Sequence, residues 1–172
     1  MLVGRDAHLL TAGAALEAAL AGRGGLLLVG GEAGIGKSTL AQELAAQARA
    51  AGAVVRTGTC WETEHLPAFT PWLDVLRRPG GDAAAEVARL LEGGDPEATD
   101  VSSARLAEAR RVAQVVDALY EVSATHPQLV LLEDLHWADR PSLALLAAAS
   151  GHLPSMAALV AVSYTHLTLP TN

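Results

Sequence analysis

Lysine is almost missing from this chain: of its 12 basic residues only Lys37 is a lysine, and 19 acidic residues leave a formal charge of −7. That balance argues against a nucleic-acid surface in this segment, because phosphate backbones are held by clustered Lys and Arg. Cysteine is as scarce. Cys60 stands alone, which excludes an internal disulfide and fits a reducing cytoplasm. Aromatic residues make up only 3%, so the core has to be built from leucine, valine and alanine. No apolar run approaches the roughly 20 residues that span a bilayer, so no membrane partner is expected. Met1-Leu2-Val3-Gly4-Arg5 lacks the basic start and sustained apolar stretch of a secretion signal, and a cytoplasmic location is expected. Isoleucine, phenylalanine and asparagine occur once each while alanine, leucine, glycine and arginine dominate, the usage that GC-rich bacterial coding sequence produces.

What is present is concentrated. The single lysine falls in Gly31-Glu32-Ala33-Gly34-Ile35-Gly36-Lys37-Ser38, a full GxxxxGK[ST] phosphate-binding loop, preceded by the apolar run Leu26-Leu27-Leu28-Val29. Glycines let the backbone curl so that successive N–H groups point at phosphate oxygens, and the helix beginning near Lys37 adds its positive N-terminal end. In that chemistry Lys37 reaches the β and γ phosphates of ATP or ADP, the Ser38 hydroxyl ligates Mg²⁺, and Thr39 completes the loop.

A chain of 172 residues suits one α/β domain burying about two-thirds of its unfolded surface. The spacing of Leu9, Leu10, Ala14, Leu16 and Leu20 predicts a helix from Asp6 to about Ala21, closed by Gly22 and Gly24. Leu26 to Val29 reads as a central parallel strand buried on both faces. Helix from Ser38 to about Ala51, strand from Ala53 to Thr57, and a short helix led by Pro71 through Leu76 follow. A helix is expected over Asp82 to Leu91, then an exposed linker at Gly93-Gly94-Asp95-Pro96. Ser102 or Ser103 caps a long helix to about Ala124, with Leu106, Val112, Val116 and Leu119 on one face. Gln128 to Leu132 forms a second strongly apolar strand, Pro141 leads a helix to about Ser150, and Ala157 to Val162 forms a further strand. Strands alternating with helices imply a P-loop NTPase of three layers, α/β/α, with a mostly parallel sheet and its ligand at the carboxyl ends of the strands.

A second acidic site stands at such an end. Leu129-Val130-Leu131-Leu132-Glu133-Asp134 is four apolar residues closing on two carboxylates, the form of a Walker B strand. One carboxylate holds Mg²⁺, usually through water, and its neighbour polarises the attacking water; the order Glu133 before Asp134 leaves open which does which.

Taken together, Val3-Gly4-Arg5, the phosphate loop and Asp134-Leu135-His136-Trp137-Ala138-Asp139 resemble the AAA-like ATPases of the STAND class. The sensor domain that opens large LuxR-type transcriptional regulators of actinobacteria is the nearest likeness. Cys60-Trp61-Glu62, Pro67-Ala68-Phe69 and Pro71-Trp72 resemble the stretch after that family's second strand, so the resemblance covers Leu2 to Val160. It implies an ATP-dependent switch biased by an effector or protein partner sensed elsewhere, with DNA reached only through a further C-terminal domain. It also implies an adenine-side role for Val3, Gly4 and Arg5. His136 and Trp137 either sense the γ-phosphate or pack beneath the acidic strand. His8, His65, His126 and His152 show no ligand spacing, Cys60 has no partner base, and Arg110 and Arg111 read as a solvated helix face. An AAA-type motor or loader is the alternative; a P-loop kinase is disfavoured because no acceptor site is recognisable.

The end of the chain differs from all that precedes it. Val162-Ser163-Tyr164-Thr165-His166-Leu167-Thr168-Leu169-Pro170-Thr171-Asn172 holds the only asparagine and one of two tyrosines, and its back-translation resembles a transposase mosaic end with sequencing adapter. The expected division is therefore an adenine-side element and helix at 1–24, an incomplete ATPase core at 25–161, and a non-native tail at 162–172. Such a tail leaves Tyr164, Leu167 and Leu169 largely exposed. It also puts Ser163-Tyr164-Thr165 where the resembled family carries a residue that reads the γ-phosphate.

Overall fold

The computed structural model describes residues 6–63, 66–77, 88–89, 91 and 100–165. Helix α1 (Asp6–Leu20) leads into strand β1 (Gly25–Gly31), and α2 (Lys37–Ala50) into β2 (Val54–Thr59). Then come α3 (Thr70–Arg77), the 25-residue α4 (Val101–Thr125), β3 (Gln128–Glu133), α5 (Arg140–Ser150) and β4 (Ala158–Thr165). Most of the helix expected over Asp82–Leu91 lies outside the described residues; Ala88 and Leu91, which are described, are helical and buried.

The four strands pair in the order β1-β4-β3-β2, every neighbour parallel. Side-chain alternation along each strand sorts the core into two layers. Leu27, Leu129, Leu131, Leu159 and Ala161 face α1 and α2. Val130, Leu132, Val160 and Val162 face α3, α4 and α5. The result is the expected α/β/α sandwich, in which β3 is buried along nearly its whole length and β4 from Ala158 to Val162. Arg56 is buried between layers. Its guanidinium donates to Gln128 Oε1 (3.0 Å) and to the Val75 carbonyl (3.1 Å), and burial lowers its pKa.

Several expectations need correction. The strand β1 is an edge, not a centre: it pairs with β4 alone among the described residues, and Leu26 and Leu28, on the same face as Val160 and Val162, are exposed at that edge. A continuous apolar run cannot distinguish a strand covered on both faces from one covered on a single face. In α1 the buried stripe is Ala12, Leu16 and Ala19, while Leu10 is exposed and Ala14 points outward. Small alanines sit where helix and sheet approach closely, and the leucine count misjudges the face. In α4, Ser102 and Ser103 lie inside the helix rather than at its cap, and Leu106 is exposed while Ala107, Val115, Val116, Ala118 and Leu119 carry the packing.

Strand β4 runs on to Thr165, past the point where the foreign tail was expected to stop packing. Tyr164 pairs with Gly30 and is only partly exposed, its ring lying over that glycine, so its expected exposure is not met. Parallel alternation extends the strand whatever the origin of the residues. Leu167 and Leu169 lie outside the described residues. No described helix is long and apolar enough to cross a membrane.

Candidate phosphate and metal site

The phosphate loop is the turn from β1 to α2. Gly34 (φ 76°) and Gly36 (φ 91°, ψ 33°) take the left-handed conformation that only glycine adopts without strain, and Gly36 is the residue before the first turn of α2. Having no side chain, Gly36 cannot cap the helix, so the first-turn N–H groups of Lys37, Ser38 and Thr39 are left to a ligand. Glu32, Ala33, Gly34, Ile35, Ser38 and Thr39 are exposed on this rim. The Lys37 ammonium folds back over the loop and donates to the carbonyls of Gly31 and Glu32, 3.0 Å each. Those two carbonyls hold the ammonium over the concave side of the loop, where a phosphate would sit.

The acidic turn closes β3 beside it. Glu133 is half-buried at the strand end, and its register partner is Thr59 at the end of β2. Asp134 is left-handed at φ 56°, ψ 44°, unusual for a residue with a side chain, and its N–H donates to Ser163 Oγ (3.1 Å). A short 3-10 turn, Leu135–Trp137, follows, in which the rings of His136 and Trp137 lie 5.0 Å apart. Trp137 is 41% exposed, so it does not pack under the strand, and His136 Nδ1 accepts from the Thr165 N–H at 3.4 Å. Asp139 caps α5 through Ser142, its carboxylate accepting from the backbone N–H (2.8 Å) and the hydroxyl (2.7 Å).

Lys37, Glu133 and Ser163 line one crevice, floored by Leu27, Leu131 and Ala161 beneath α2. The two sequence motifs, about a hundred residues apart in the chain, thus converge at the carboxyl ends of β1 and β3, which flank β4 in the sheet. Ser163 was foreseen only by position, and Asp139 only as part of a motif; its capping role was legible in Asp139-Arg140-Pro141-Ser142, an N-cap residue followed by proline in the first turn. Val3, Gly4, Arg5 and His65 lie outside the described residues. Among the described residues no three His, Cys, Asp or Glu side chains gather as a metal cage. A loop hydroxyl with one or two nearby carboxylates suits a hydrated ion such as Mg²⁺, which keeps water and takes phosphate oxygens. Cys60 is buried at the end of β2, and its thiol pKa is pushed up to about 11 by burial, then by the charges of Asp139 and Asp134. That thiol is no nucleophile at neutral pH.

A parallel sheet ending in a glycine-rich phosphate loop and an acidic turn defines the P-loop class of nucleotide-binding ATPases. Within it the chain belongs to the AAA ATPase domain family, whose model matches residues 1–162. An uncharacterized protein of Rhizobium meliloti (strain 1021) is 32% identical over 174 aligned positions, covering 87% of this chain and 17% of that protein. The chain thus spans less than a fifth of that relative's length. A chain of Drosophila ORC bound to DNA aligns with 97% of this chain and 83% of its own length, at 16% identity and a TM-score of 0.48. A chain of Drosophila ORC bound to AT-rich DNA and Cdc6 aligns with 96% of this chain and 52% of its own length, at 17% identity and a TM-score of 0.47.

Proposed function

We propose that this domain is an ATP-binding, slowly hydrolysing switch of the STAND type, from a signalling or transcriptional regulator. The observation that carries this reading is that Lys37, from the phosphate loop, and Glu133, from the acidic turn, line one crevice beneath α2. In it, the backbone from Gly31 to Thr39 wraps the phosphates of ATP or ADP. Lys37 exchanges its two loop carbonyls for the β and γ phosphates. Ser38 and one of Glu133 and Asp134 hold Mg²⁺, which when bound neutralises phosphate charge, while the other carboxylate orients the attacking water. Val3, Gly4 and Arg5 serve the adenine. The net charge of −7 supports the reading that any DNA contact belongs to a further domain and that a protein or small effector, in the cytoplasm, is the partner of this one.

Calorimetric titration with ATP and ADP, with and without Mg²⁺, tests the binding. Hydrolysis followed under single-turnover conditions and with ATP in excess separates the two mechanisms open to an AAA domain: a switch holds nucleotide through long dwell times, whereas rapid multiple turnover points to a motor or loader. The division of the chain at 24 and at 161, with a foreign end from Val162, belongs to the same proposal. Sequencing the source locus independently tests it, and recovering the same last eleven codons would remove the foreign end.

A further inference from the structure

Two backbone segments leave the candidate site in different directions and meet again. Strand β2 ends at Thr59 beside Glu133, and the next residue, Cys60, donates its N–H to the Glu133 carbonyl at 2.9 Å. Nine residues on, the N–H of Phe69 reaches Asp139 Oδ1 at 3.4 Å, the same oxygen that caps α5. The chain after β2 is therefore pinned at one end to the first residue of the acidic turn and at the other to the last.

The second pin holds an unfavourable conformation. Phe69 has φ 65°, in the left-handed region that a bulky side chain rarely adopts, and is 2% exposed. Its carbonyl accepts from Trp72 and Leu73, 2.9 Å each, and so starts α3. Helix α3 is locked in turn onto α5 by Trp72 Nε1 donating to the Ser142 carbonyl (3.1 Å). Between the pins, Trp61 is 58% and Leu66 44% exposed. The Phe69 ring is fixed in the core while the residue's N–H is held by one long hydrogen bond, so the surroundings and not the local backbone set its state, and a small shift at Asp139 can be passed to it.

We propose that the arms Cys60–Thr63 and Leu66–Phe69 form the output element of this domain. Asp139 is the positioning residue that couples them to nucleotide and metal at Glu133-Asp134. Movement of the acidic turn on nucleotide binding is transmitted through the Cys60 and Phe69 hydrogen bonds and displaces Trp61 and Leu66. The inference rests on the nucleotide-binding reading above.

The test uses a Trp137→Phe background, which leaves Trp61 as the exposed tryptophan while Trp72, fully buried, contributes a constant signal. Acrylamide quenching is measured with and without Mg²⁺ and a slowly hydrolysed ATP analogue, with calorimetry on the same samples. Binding should change the Trp61 quenching constant about twofold. In Asp139→Ser, which keeps an N-cap oxygen for α5 but withdraws the reach to Phe69, the change should vanish while affinity stays within about threefold. Asp139→Asn retains Oδ1 and should restore the response. Tight binding with a silent Trp61, or Asp139→Ser responding as fully as the background, overturns the coupling and leaves nucleotide binding standing. Absence of binding in the calorimeter removes both. Should Asp139→Ser not fold, amide exchange in the unaltered chain decides: protection of the Phe69 N–H has to change when the analogue binds, and unchanged protection overturns the proposal.

Discussion

At the phosphate loop the left-handed backbone falls on Gly34 and Gly36, whereas at the facing acidic turn it falls on Asp134. The glycines reach that conformation without steric conflict, so the loop's shape is written locally and survives without tertiary help. Asp134 carries a cost of the order of 1 kcal/mol there, and its backbone N–H is held by Ser163 Oγ, so its conformation depends on what surrounds it. One side of the site is thus a preformed receptor, and the other is a turn held in place by its neighbours. The first should lose nucleotide binding when altered; the second should lose metal-dependent binding, regulation or turnover.

The largest effect is expected at Lys37. Lys37→Ala deletes the only ammonium on the loop, and affinity for ATP should fall by roughly a hundredfold or more, read by calorimetry. Its present partners are two backbone carbonyls that water can satisfy, so folding stability should hardly change. Equal affinity in variant and parent would defeat the assignment of the loop.

The acidic turn should divide its labour. Of Glu133→Gln and Asp134→Asn, the one that removes the metal ligand should weaken Mg²⁺-dependent binding. The one that removes the water-orienting group should slow turnover by about a hundredfold while nucleotide still binds. Binding titrations and single-turnover assays on both variants check this. Intact binding and turnover in both would take the pair out of the site and leave the comparison with only one side.

These two predictions also mark where sequence reading succeeds. The phosphate loop, β3 and the start of α5 were legible because their signals are local: glycine spacing, an apolar run closing on carboxylates, and Asp139 ahead of proline. Strand order was not legible, since the apolar run of β1 looks the same at an edge as at a centre. Nor was the face of α1, where Ala12, Leu16 and Ala19 pack and Leu10 does not. The left-handed Asp134 and Phe69 were equally hidden, because their conformations are imposed by contacts from β2, β4 and α5 that no nearby residue announces.

Smaller effects sharpen the contrast between the two turns. A Cβ at Gly34 meets nothing within 4 Å, so Gly34→Ala should cost stability only through its backbone angle, about 1–2 kcal/mol. Asp134→Gly removes strain in the folded turn but adds freedom to the unfolded chain, and the two terms, each about 0.5–1 kcal/mol, should nearly cancel. Urea denaturation midpoints give both numbers. A loss at Asp134→Gly as large as that at Gly34→Ala would mean that the aspartate side chain, not its neighbours, holds the turn.

The smallest effect lies at Cys60 and appears only in alkali. Burial and the charges of Asp139 and Asp134 raise its thiol pKa from 9.0 to about 11 in the folded chain. The unfolded chain therefore loses this proton first as pH rises. By linkage, the contribution is fully present below about pH 9 and drains away between pH 9 and 11, amounting to the order of 2 kcal/mol at the upper end. Because the slope of one chain sums every ionisable group, the parent's slope alone is uninformative. The difference between parent and Cys60→Ala, followed by denaturant midpoints from pH 7.5 to 11, isolates the thiol. Cys60→Ala should be offset from the parent by a constant at lower pH, reflecting the lost packing of the sulfur, and the two curves should converge above about pH 9. Parallel curves throughout would show that the thiol ionises as easily folded as unfolded, and with it would go the view that the buried end of β2 lies close against the two aspartates of the acidic turn.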